Sequence, residues 1–121
     1  MMWEDVVKRD DIKGGELRMH LGSRVFHGLI SKISIVKSWV CLEVSKLSEW
    51  RAESRKWELV QNASKFFFID AKVAIPRYIP DGRLYFETKS IGFGYISPKG
   101  CVRSTADLGD SPPIELMPQA P

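Results

Sequence analysis

Val25-Phe26-His27-Gly28-Leu29-Ile30-Ser31-Lys32-Ile33-Ser34-Ile35-Val36 is the stretch on which the fold turns. Ile33 and Ile35 alternate with polar neighbours as in a half-buried strand, but Phe26 and Ile30 fall on the opposite phase. One straight strand cannot bury all four. A bulge near Gly28 reconciles the two phases and bends the strand sharply.

The same period of two extends to both sides. Upstream, Leu17, Met19 and Leu21 alternate with Glu16, Arg18 and His20, and Gly22-Ser23 supplies the turn. Downstream, after Lys37-Ser38, the run from Trp39 to Val44 puts Val40, Leu42 and Val44 on one face. Residues 45–56 are polar and charged and are expected to form a loop with a helical turn. Lys56 to Gln61 makes a fourth strand. Lys65 to Val73 makes a fifth, whose near-continuous Phe66-Phe67-Phe68-Ile69 implies burial on both faces and a central place. Pro76 and Pro80 confine the next segment to an edge or to the surface. Asp81-Gly82 is the strongest turn signal, with both positions expected at positive φ, and strands follow from Arg83 to Thr88 and from Ile91 to Ser97. A long bent second strand among five to seven short ones predicts a mainly β fold. The expected form is a small bent antiparallel barrel, Src-homology-3-like or OB-like and half-open. Trp3, Val6 and Val7 predict a short N-terminal helix within residues 2–12, ended by Gly14-Gly15; an α+β roll is the nearest competitor.

The chain has 121 residues, 44% of them hydrophobic and 27% charged, enough for one core in one domain. That domain is expected over residues 1–103. The tail 104–121, with four of the chain's seven prolines and no base, is expected to be flexible. No apolar run approaches the ~18 residues of a membrane span. The opening MMWEDVVKRDD is too acidic for a secretory signal, so a cytoplasmic location is expected. Cys41 in an apolar run and Cys101 after a turn read as reduced thiols. His20 and His27 stand apart from any paired ligand spacing, so neither metal nor cofactor is expected. There is no G-x-S-x-G elbow, no nucleophile beside a base, and no helix after Gly92-Phe93-Gly94 to aim amides at a phosphate. An enzyme is the least favoured class.

Charge is uneven along the chain. Residues 1–16 carry five acids and three bases, net −2; residues 104–121 carry Asp107, Asp110 and Glu115, net −3; the remainder of the +3 total is therefore +8 over residues 17–103. Such a field concentrates polyanions or acidic protein surfaces around the domain, though it also serves for solubility alone. The acidic tail is a candidate to fold back on the basic face.

Ile91-Gly92-Phe93-Gly94-Tyr95-Ile96-Ser97-Pro98, preceded by Gly82-Arg83-Leu84-Tyr85-Phe86, resembles the glycine-aromatic strand of RNA-recognition and cold-shock domains. Ile91 stands where those domains carry a base, with Lys89 close by. The resemblance implies that Phe93 and Tyr95 stack on unpaired bases, with Phe86 as a third platform; packing of Phe93 and Tyr95 in a core or hairpin is the alternative. Lys89, Arg83, Tyr85 and Arg77 would complete a basic aromatic face for RNA or single-stranded DNA. A second cluster, Trp50, Arg51, Arg55 and Trp57, suits a protein interface or nucleic-acid stacking as well as core packing. The sequence therefore leads to a non-catalytic binding module, with single-stranded nucleic acid as first ligand. The alternative is a protein-interaction or assembly module with a partner chain or a second copy docked on an open edge.

Overall fold

One short helix and eight antiparallel strands make up the computed structural model, which describes residues 2–88 and 92–101. In chain order they are α1 (Trp3–Val7), β1 (Glu16–Leu21), β2 (Arg24–Val36), β3 (Trp39–Arg51), β4 (Lys56–Gln61), β5 (Lys65–Asp70), β6 (Arg77–Tyr78), β7 (Leu84–Glu87) and β8 (Gly92–Ser97). The expected mainly β class holds, and the sheet is not closed. Its order is β4-β3-β2-β1-β8-β7-β6, with β5 also on β3. The acidic tail expected at 104–121 lies outside the described residues.

The bent second strand is present. Its ladder with β3 slips between His27 and Leu29 and again between Ile30 and Lys32. Those slips bring Phe26, Ile30, Ile33 and Ile35 to one face, where they join the core or pack against it. A Cβ on Gly28 would stand 2.1 Å from Val44 Cγ1, so only glycine lets β2 and β3 approach there. β3 makes the matching bend at Lys46, whose φ is 52°.

Residues 45–51 continue β3 rather than forming the expected loop with a helical turn. The bulge explains the difference: Leu47 lies on the inner face at odd spacing from Val44, which destroys the alternation that a straight strand would display. β4 and β5 then run one after the other along the same side of β3, Trp50 opposite Trp57 and Val40 opposite Ile69. Together they form one rim of the sheet. This corrects the central place expected for β5: among the described residues it pairs only with β3, and Phe66 and Phe68 face outward.

At the opposite rim, β6 is two residues long and bracketed by Pro76 and Pro80, as the prolines require. The β6–β7 turn closes with the Gly82 N–H on the Ile79 carbonyl at 2.9 Å. Pro80 and Asp81 are thus its central residues, and of the expected Asp81-Gly82 pair only Gly82 takes positive φ, 93°.

α1 is the short helix expected within residues 2–12, and it ends at Lys8, ahead of Gly14-Gly15. The Asp5 carboxylate accepts the Met2 N–H at 3.2 Å, satisfying an amide that the helix leaves open. Trp3 anchors the helix, donating its indole N–H to the Ala74 carbonyl at 2.5 Å and meeting Phe86 edge-on at 5.4 Å. The core therefore joins both halves of the curled sheet, with Leu42 and Ile69 from one and Leu84, Phe86 and Ile96 from the other.

Candidate functional site

The face turned away from the core carries two distinct surfaces. The first lies over β6, β7, β8, β1 and the start of β2. Arg77 pairs with Tyr85, Tyr85 with Tyr95, Tyr95 with Arg18 and Arg18 with His27, so these five side chains form one row across five strands. The next row holds Glu87, Phe93 and His20. Alternation along β7 and β8 puts Tyr85, Phe93 and Tyr95 on this face and Phe86 on the other.

Aromatic rings and cations interlock here. Tyr85, Phe93 and Tyr95 have centroids 5.4–5.9 Å apart. Guanidinium carbons of Arg77, Arg83 and Arg18 lie 5.2, 4.3 and 5.0 Å from the Tyr85, Tyr95 and Trp57 rings. His20 stacks on Phe93 at 4.4 Å. Tyr85 donates its hydroxyl to Glu87 at 2.8 Å, and burial followed by this carboxylate pushes the phenol far above its ordinary range. Burial holds His27 below the usual imidazole range, with Glu16 opposing and Arg18 reinforcing that effect.

The structure therefore brings together most of the predicted nucleic-acid residues. Tyr85, Tyr95 and Arg83 are buried, with Tyr95 2% exposed, and Arg83 is also held by Asp81 at 2.9 Å. Phe93 and Arg77 are half-buried. Phe86, 0% exposed, is a core residue and corrects the expectation of a third platform. Lys89 lies outside the described residues. The glycines around Phe93 have a packing reason: a Cβ on Gly94 would meet Phe86 Cζ at 2.5 Å and Met19 Sδ at 2.8 Å.

The second predicted cluster is also partly spent on the fold. Trp50 and Trp57 meet edge-on at 5.6 Å across β3 and β4. Arg51 binds Glu58 at 3.1 Å and approaches Glu49 at 3.4 Å. Arg55 is exposed in the β3–β4 turn with φ 52°.

The second surface was not anticipated. Three rows cross β2, β3 and β5 beyond the bulges: Lys32, Glu43 and Phe66; Ser34, Cys41 and Phe68; Val36, Trp39 and Asp70. Val36, Trp39, Phe66 and Phe68 are 56%, 46%, 53% and 63% exposed, and the two phenylalanine rings stack at 6.2 Å. The signal available in the sequence was that Phe66 and Phe68 share a phase opposite to Phe67 and Ile69.

Among the described residues no three His, Cys, Asp or Glu side chains gather as metal ligands. Cys41 and Cys101 are both free thiols. No helix of the described residues is long and apolar enough to cross a membrane. No family model, curated protein or solved structure matches this chain.

Proposed function

We propose that this chain is a non-catalytic binding module that docks a protein through the outer face and open rim at β5. The observation that carries it is the pair of exposed rings, Phe66 and Phe68, on β5, which among the described residues pairs only with β3, beside the exposed Trp39 of β3. Contiguous exposed rings of this kind mark interaction surfaces, and an unpaired strand edge offers backbone groups to another chain.

Charge favours protein over nucleic acid at this surface. The three rows holding the rings contain Lys32 against Glu43 and Asp70, so no cationic track accompanies the aromatic groups. The Arg77–His27 row has the reverse composition, cationic and aromatic together, and supports single-strand binding as a second reading. Its tyrosines, however, are buried against each other and against arginines, whereas stacking on a base needs an open ring.

Sizing chromatography with light scattering at high ionic strength, on the wild-type chain and on Phe68→Ser, tests the choice. A stoichiometric protein complex or defined oligomer that survives salt and is lost in the variant supports docking at β5. A monomer whose oligonucleotide binding weakens steeply with salt and is unchanged by Phe68→Ser overturns it.

A further inference from the structure

We infer that the partner at the β5 rim is a second copy of this chain, joined by antiparallel pairing of β5 with β5 about a twofold axis at Phe67. The inference rests on the reading that this face docks protein, and adds which protein and in what register.

Phe66-Phe67-Phe68, at the middle of β5, is symmetric about Phe67. Directly opposed residues of an antiparallel pair share a face, so a twofold axis normal to the sheet must pass through a residue that opposes itself. With the axis at Phe67, Phe66 stands opposite the partner's Phe68 and Phe68 opposite the partner's Phe66. All four rings then lie on the outer face, where each is now more than half exposed.

Charge selects the antiparallel sense. Lys65 begins the strand and Asp70 ends it. With the axis at Phe67, Lys65 stands opposite the partner's Ile69 and Asp70 opposite the partner's Ser64, so antiparallel pairing opposes no like charges, whereas in-register parallel pairing sets Lys65 against Lys65 and Asp70 against Asp70. Nothing guards the middle of β5: it has no proline and no charge between its ends. The opposite rim, two residues between prolines, has such a guard.

Light scattering over a concentration series, with amide hydrogen exchange on the same samples, provides the test. The expected results are a dimer mass that Phe68→Ser abolishes and exchange at residues 65–70 slowed by about tenfold or more as the dimer fills. Oxidation of Phe67→Cys in a Cys41→Ser, Cys101→Ser background then gives an intermolecular disulfide, because residues opposed on the axis have Cα atoms about 4.5–5.5 Å apart. Phe68→Cys alone does not, since its own copies are diagonal neighbours about 7–8 Å apart.

A monomer at every concentration overturns self-pairing while leaving docking of a different protein intact. A dimer sensitive to Phe68→Ser whose β5 amides exchange at an unchanged rate overturns the strand pairing but keeps the face. A dimer indifferent to Phe68→Ser overturns both this inference and the reading beneath it. If Phe67→Cys does not fold, the exchange data on the natural chain decide.

Discussion

Arg24 at the start of β2 grips the carboxylate of Glu49 near the end of β3 with two hydrogen bonds, Nε at 2.7 Å and Nη2 at 3.0 Å. Glu49 is 4% exposed, and this fork holds its pKa below the ordinary 4.5. A carboxylate depressed in the fold binds fewer protons than its unfolded counterpart, so its contribution is complete above pH 4.5 and is lost as pH falls through the folded value. Urea midpoints should therefore show Arg24→Ala less stable than the natural chain at neutral pH, with the gap narrowing below about pH 4.5.

His27 gives the corresponding effect at higher pH. Its Nε2 is buried without a hydrogen bond, and burial lowers its pKa from 6.5. The unfolded chain takes up this proton first, so the stabilisation of the neutral imidazole is complete above pH 6.5 and declines below it. The pH slope of unfolding free energy just below 6.5 should be reduced in His27→Gln.

Tyr95→Ala should cost about 3–5 kcal/mol by chemical denaturation, the range for large aromatic truncations in packed sites, because the ring is 2% exposed among Tyr85, Phe93 and Arg83. Retention of stability would mean that the ring is available to a ligand after all.

Gly94→Ala should destabilise by about 1–3 kcal/mol, since the added methyl must displace the Phe86 ring or the Met19 sulfur. Thermal unfolding of this variant tests whether the glycine between the two aromatics serves packing; an unchanged midpoint would remove that account.

A double-mutant cycle of Arg18→Met and Trp57→Leu should return a coupling of about 0.5–2 kcal/mol, the range for a desolvated cation over an indole. Additive losses would show that the two side chains act independently.

The fold was legible wherever one local rule acted alone. Alternation revealed β1, the phase conflict around Gly28 revealed the bend of β2, and two prolines marked the β6 rim. What the sequence hid depends on tertiary placement. Leu47 lost its alternation to the bulge at Lys46, and Phe66-Phe67-Phe68 looked like a buried run because apolar residues on an outer face resemble those of a core strand. The candidate site divided along the same line. That Phe93 and Tyr95 share one side of β8 follows from the period of two, but which side it is depends on the packed fold. Their mutual burial with Arg83 depends on partners distant in the chain and could not be inferred.

The short β6, closed off by Pro76 and Pro80, also limits what this molecule can become. On the proposed reading, strand addition is received at the β5 margin and disfavoured at the β6 margin, so pairing there closes on itself in a dimer. A two-residue margin between prolines is a poor template for a further chain, which disfavours end-to-end ribbons despite the exposed phenylalanines of β5.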